Sequence, residues 1–161
     1  MKARSPSSSI PKKHSDAAMV EIRKARLADA RAIAELSGQL GYPATEKEMA
    51  ERLSKLLRMR LNLTLIAETP EHQTIGWLHV SVTPLLEVPL RAEINGLVVD
   101  ENQRSQGAGA LLLKTAERWA RSRGCQSMSV RSNVIRERAH EFYLRHGYEH
   151  YKTQKSFRKT L

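Results

Sequence analysis

The chain has 161 residues, 40% hydrophobic and 27% charged, a balance that suits one folded domain and excludes a disordered or fibrous chain. The formal charge is +10, but the cations are scattered, aromatics make up only 5%, and no zinc-finger spacing, basic-zipper region or aromatic RNA-binding strand accompanies them; nucleic acid is not the expected main partner. A single cysteine, Cys125, excludes an internal disulfide and a cysteine-based zinc site, and no apolar run reaches the roughly 20 residues of a membrane span.

Residues 1–18 read as a flexible basic tail. Ser5-Pro6-Ser7-Ser8-Ser9 and Pro11-Lys12-Lys13 carry too little apolar surface to offset the entropy of ordering. No apolar signal segment follows this basic start, so the cytoplasm is the expected location. The domain, residues 19–161, opens with a short strand near Val20-Glu21-Ile22. Ala30 to Leu40 then repeats Ile33, Leu36 and Leu40 at helical spacing, with Gly41 as the stop. Thr45 with Glu48 three residues later is a capping box, and it opens a second helix carrying Met49, Leu53, Leu56 and Leu57.

The period then changes. Leu63 to Glu68 and Ile75 to Val82 read as an antiparallel hairpin around a turn containing Pro70, and Ala92 to Val99 is a third strand. A helix from about Gly107 to Ser122 places Leu112, Ala116, Trp119 and Ala120 on one face, and Gly124 ends it. Ser127 to Arg131 is a strand, Glu137 to Arg145 a helix stopped at Gly147, and the remainder reads as two more short strands. The order β-α-α-β-β-β-α-β-α-β-β points to a single mixed α/β sheet covered by helices.

One stretch carries the chemistry. Strand Ala92–Val99 runs into a loop with Arg104-x-x-Gly107-x-Gly109, and the loop opens an amphipathic helix. Glycines let backbone approach an anion, and the first helical N–H groups have no internal acceptor, so a diphosphate fits here. A glycine pair at a helix entry is equally compatible with a merely structural role. The phosphate loop of nucleotidases is excluded, since Ala110 and Leu111 stand where Lys and Ser/Thr are needed. The dinucleotide fingerprint is excluded because Leu112 occupies its third glycine position.

Arg104-x-x-Gly107-x-Gly109 resembles the Gln/Arg-x-x-Gly-x-Gly/Ala signature of the GNAT superfamily of N-acetyltransferases. Arg136-x-x-Ala139-His140-x-Phe142-Tyr143-x-x-x-Gly147-Tyr148 is similar to that family's second signature helix, and the similarity extends from about Val20 to Leu161. The resemblance implies a mostly antiparallel central sheet with helices on both faces, whose two central strands splay apart to admit the pantetheine arm of acetyl-CoA. Leu97, Val98 and Val99 would then bond that arm through their backbone, while Arg104, Ser105, Gln106, Gly107, Ala108, Gly109 and Ala110 would wrap the pyrophosphate. A side chain at Gly107 is expected to block that approach with little loss of fold. Asn133 and Arg136 are the candidates for a further CoA contact beyond the strand ending near Arg131.

The implied reaction is direct acetyl transfer from acetyl-CoA to a primary amine, with no metal. By family position Tyr143 is the general acid facing the CoA sulfur; its alternative role is a core tyrosine. Glu93, eleven positions ahead of Arg104, is the candidate base, directly or through a water it holds. Alternatively it anchors the ammonium, or is a charge paired with an arginine. His140 is expected to pack or hydrogen-bond, and Cys125 to be a small buried residue, not a nucleophile. The acceptor stays open among small amines, aminoglycoside-like polyamines, amino-acid conjugates and protein amino groups, and a homodimer stays open too. A second reading, from another class, is a basic nucleic-acid-associated module on the same fold that binds CoA weakly or not at all.

Overall fold

Leu63-Thr64-Leu65-Ile66-Ala67 is an apolar run without the alternation of a half-exposed strand, and it forms the strand buried on both faces at the middle of the protein. The computed structural model describes residues 19–104 and 106–161; the expected tail and Ser105 lie outside the described residues. The elements are β1 (Glu21–Lys24), α1 (Ala30–Gln39), α2 (Glu46–Leu56), β2 (Asn62–Glu68), β3 (Thr74–Val82), β4 (Arg91–Val99), α3 (Ala108–Ser122), β5 (Ser127–Val130) and α4 (Glu137–Arg145). Short 3-10 turns precede α1 at Leu27–Asp29 and follow β4 at Glu101–Gln103.

The five strands lie side by side in chain order. β1 to β4 pair antiparallel, and β5 joins β4 in parallel. α3 crosses between β4 and β5, as a parallel pair requires. Its Leu112, Leu113, Ala116 and Ala120 meet Leu65, Leu78, Val80, Ala92 and Ile94 on one face of the sheet. On the other face Ile33 of α1 and Leu53 of α2 close over Ile66, with Trp77 packed alongside. The expected mixed sheet with helices on both faces is the observed architecture. The capping box also forms: the Thr45 hydroxyl accepts from the Glu48 N–H at 3.2 Å, and the Glu48 carboxylate accepts from the Thr45 N–H at 2.8 Å.

The two closing strands are a correction. Residues 148–161 carry no strand, and 149–161 are exposed throughout, Tyr151, Phe157 and Leu161 included. A strand there would put Glu149, Lys155 and Lys159 on the same face as those three apolar side chains, so neither face could be buried.

One buried charge network ties β1 to β2. Arg23 forks onto both oxygens of Asp29 at 2.8 Å and reaches Glu68 through Nε at 2.9 Å and a terminal nitrogen at 2.7 Å. Burial alone would raise the Asp29 carboxyl, but its bonds from Arg23 and from the Arg26 N–H hold it below its ordinary value. Glu68 is lowered by His72 and then by Arg23. Carboxylates with depressed folded pKa values contribute stability above their ordinary values, 3.8 for Asp29 and 4.5 for Glu68, and lose it as pH falls through the folded ones. Arg23→Met should therefore cost about 3 kcal/mol at pH 7 by stranding two half-desolvated carboxylates. The deficit relative to the natural chain should shrink as pH falls below about 4 and through the depressed folded values at which the two carboxyls protonate. Urea denaturation at pH 7 and at successively lower pH checks both; equal stability at pH 7 would contradict the network's role.

Candidate active site

Parallel pairing of β4 with β5 runs from Arg91↔Ser127 to Ile94↔Val130 and stops there. β4 continues to Val99 with β3 alone. At the point of parting β4 carries a bulge: Val80 faces Ile94 and His79 faces Gly96, so Asn95 is the extra residue. Gly96 is required by close approach, since a Cβ there would sit 2.6 Å from the Trp77 ring. The chain leaving Val130 turns away through 131–136 into α4. Among the described residues Leu97, Val98 and Val99 consequently have no strand neighbour on their β5 side, and the gap between the two strands is a slot lined by backbone.

At the C-terminal end of that slot stands the N-terminus of α3. Its N-cap, Gly107, has φ +79 and offers no side-chain cap, so the N–H groups of Ala108, Gly109 and Ala110 have no side-chain acceptor there. Nothing lies within 4 Å of a Cβ placed on Gly107. The space is open, but the positive φ strains any side chain, a β-branched one most; the expectation that Gly107 could be replaced with little effect on folding is corrected on that ground. Gly109 is small for a different reason: its missing Cβ would be 3.3 Å from the Phe142 ring, so α4 packs directly on the first turn of α3. Arg104 lies at the slot's end, its Nε donating to the Val99 carbonyl at 3.3 Å. Gln106 donates to the Gln103 side chain at 2.6 Å, and the Glu101 N–H is held by the Gln39 side chain at 3.1 Å.

Across the slot, a cavity of about 1380 Å³ lies between β5, α4 and the chain after Gly147. Tyr143 lines it together with Ser132, Asn133 and His140. Burial pushes the Tyr143 phenol up to about 12, so at neutral pH it keeps its hydrogen and can donate it. Its ring stacks edge-on against Phe142 and Tyr148, and its hydroxyl has no hydrogen-bond partner among the described residues. The Ser132 hydroxyl is fully buried and likewise unpartnered. That orphaned donor, two residues beyond the last pair of β4 and β5, is the kind of group an amide-bearing ligand would satisfy. Sequence reading missed it because a lone serine carries no signal. The Asn133 side-chain oxygen accepts from the Ile135 N–H at 3.2 Å and so shapes its own turn. Arg136, the α4 N-cap, donates to the Leu40 carbonyl at the C-terminus of α1. His140 bonds the Asn133 carbonyl at 3.0 Å, and Cys125 is half-buried against the core.

Glu93 does not line the cavity that holds Tyr143. It sits in register with Ser81 and Ser129 and faces an adjoining groove of about 250 Å³. Ser129, Val130, Arg131, Tyr151, Lys152 and Gln154 line both spaces, and Arg131 Nε lies 2.6 Å from Glu93 Oε1. The phenol and the carboxylate thus flank the end of β5. Arg131 is another residue that sequence reading missed: it stands two positions beyond Ser129, hence on the face of Glu93, which follows only once the parallel register is known.

A family model described as Acetyltransferase (GNAT) family matches residues 30–148. The chain is 30% identical over 119 residues to the aminoglycoside N(6')-acetyltransferase type 1 of Klebsiella aerogenes, covering 72% of this chain and 78% of that one. It is 44% identical over 57 residues to the aminoalkylphosphonate N-acetyltransferase of Salmonella typhimurium, covering 35% of this chain and 37% of that one. Among solved structures, the aminoglycoside N-acetyltransferase AAC(6')-Iy in complex with CoA superposes with a TM-score of 0.80 at 17% identity, over 89% of this chain and 97% of that one.

The geometry at the α3 entry generates a stability test. Gly107→Ala meets no atom, so its cost is the left-handed backbone alone, about 1 kcal/mol, or a melting point lower by about 2–4 °C. A melting point unchanged by calorimetry would show that φ relaxes there at no cost.

Proposed function

The chain belongs to the GNAT acetyltransferase family, and on that premise we propose that it moves an acetyl group from acetyl-CoA directly to a primary amine. The observation that carries the reading is the slot itself: backbone of Leu97, Val98 and Val99 without a strand neighbour, ending at the glycine-capped N-terminus of α3. Acetyl-CoA supplies a thioester carbonyl when bound. The residues fit it. Leu97–Val99 would bond the pantetheine amides as a neighbouring strand would, with Ser132 adding its unpartnered hydroxyl. Gln106 and the N–H groups of Gly107 to Ala110 would face the pyrophosphate, with the helix dipole favouring its charge. Arg104 supports this end of the slot through the Val99 carbonyl; Ser105 would join the same wrap on its sequence position alone. Arg136 would act by position, anchoring α4 to α1, and Asn133 by shaping the turn between them.

An ammonium must lose a proton before its nitrogen can attack. Glu93 would take that proton, directly or through a water, with Oε2, since Oε1 is engaged by Arg131. As the new C–N bond forms and the C–S bond breaks, the Tyr143 hydroxyl would hydrogen-bond the departing thiolate, whose proton then comes from solvent, directly or relayed through the phenol. A phenol near 12 is a weaker acid than an ordinary thiol near 8.5, so Tyr143 serves mainly as a hydrogen-bond donor to sulfur. Two relatives act on different amines by name, an aminoglycoside and an aminoalkylphosphonate, and either class suits the chemistry.

The experiment is release of free CoA thiol with acetyl-CoA and a panel of amines. Saturating acetyl-CoA should also raise the melting point, by about 2.7 kcal/mol of stability at 100 times its Kd; no shift at millimolar acetyl-CoA contradicts the proposal. Tyr143→Phe should lower kcat by roughly ten- to a thousandfold with little change in CoA affinity. In the unaltered enzyme, activity should show no loss from phenol ionisation until pH approaches about 12. An unaltered kcat in Tyr143→Phe would leave Tyr143 a core residue. Glu93→Gln should flatten the rise of kcat/KM with pH if Glu93 is the base, and raise only the amine's KM if it anchors the ammonium. Identical profiles and KM would remove Glu93 from the mechanism.

A further inference from the structure

The groove at Glu93 is small and its charges are unbalanced. Resting on the acetyl-transfer reading, we infer that it selects a small amine that carries its own oxyanion, a phosphonate or carboxylate a few bonds from the nitrogen, over a neutral alkylamine or a polycation.

Three cations, Arg91, Arg131 and Lys152, line the groove against two carboxylates, Glu87 and Glu93. Arg91 and Glu93 lie two residues apart on β4 and therefore on one face of the sheet, with Ser129 in register beside Glu93. The only ion pair among these groups in the described residues is Arg131 Nε to Glu93 Oε1 at 2.6 Å. Among the described residues no hydrogen bond reaches Glu93 Oε2 or the two terminal nitrogens of Arg131. An ammonium on Oε2 thus places any group a few bonds away beside the Arg131 fork. A guanidinium meets a phosphonate or carboxylate with two parallel N–H···O bonds, the strong, geometrically selective form of the contact. Lys152 and Arg91 add positive field from the rim. A neutral alkylamine has nothing to offer these groups, and a polyamine would set its remaining ammonium groups against three cations.

The 80% exposed side chain of Arg131 keeps the site in high dielectric, which limits the expected selectivity to about tenfold for one charge-assisted fork.

The test uses the full chain and CoA-thiol release with aminoethylphosphonate, β-alanine, propylamine and the polycationic aminoglycoside kanamycin. At low ionic strength kcat/KM for aminoethylphosphonate or β-alanine should exceed that for propylamine by at least about tenfold, and the ratio of those two separates phosphonate from carboxylate. Arg131→Gln should bring the ratio to propylamine close to one, and Arg131→Lys should retain most of it. Taking the ratio cancels any general effect of losing the Arg131–Glu93 pair on rate or folding. Equal rates for propylamine and both anionic amines, a preference for kanamycin, or a ratio untouched by Arg131→Gln overturns the inference while leaving acetyl transfer in place. Thiol release with none of the four, together with no acetyl-CoA thermal shift, overturns the reading beneath it as well.

Discussion

The site exists because two parallel strands stop pairing part-way. β5 accompanies β4 for four residue pairs, and beyond Ile94↔Val130 each strand goes its own way. A sheet edge opened inside a fold leaves backbone donors and acceptors that something must satisfy. The causes are local: the extra residue Asn95 bends β4, and Trp77 lying across Gly96 sets where that bend falls. What keeps the opening from closing is α1. Its Gln39 side chain holds the loop after β4, and its Leu40 carbonyl holds Arg136 at the head of α4. One helix end therefore braces both banks of the slot, and a cation at a helix C-terminus is the favourable end for it.

That brace explains why α4 is placed where chemistry needs it. With Arg136 anchored to α1, the next turns of α4 set Phe142 on Gly109 and Tyr143 on the cavity wall beside Ser132. The phenol is dry and stays protonated, whereas Glu93, across the end of β5, keeps a quarter of its side chain in water beside Arg131. A phenol that works as a hydrogen donor and a carboxylate that meets an ammonium need different dielectric surroundings. A single strand edge separates the two environments.

How much of this could be read from the chain follows from range. The Arg104-x-x-Gly107-x-Gly109 turn, the Thr45–Glu48 box and the α3 stripe are local patterns, and each stands where its residues indicate. Both glycines were legible as special, but not that Gly107 serves a left-handed turn and Gly109 the seat of Phe142, 33 positions later. Trp77 on Gly96, Arg131 on Glu93 and Arg136 on Leu40 bring together residues 19, 38 and 96 apart, and no spacing rule reaches that far. The two closing strands failed for a related reason: a short polar stretch reads as a strand by propensity, but strands are held by a buried face, and residues 149–161 have none.

The formal charge of +10 takes on meaning only once the cations are traced to their partners. Arg23 is engaged by Asp29 and Glu68, Arg31 by Glu35, Arg104 by the Val99 carbonyl, Arg121 by Glu117 and Arg136 by the Leu40 carbonyl. These lie on different elements and bind different groups, so the engaged arginines do not form one patch for a phosphate backbone. Around Glu93 the arithmetic differs, because three cations meet two carboxylates in a groove too small for a polymer. A charge surplus confined to such a space acts on whatever small molecule enters it. Lying beside the carboxylate that would receive the amine, it discriminates among amines by their second functional group.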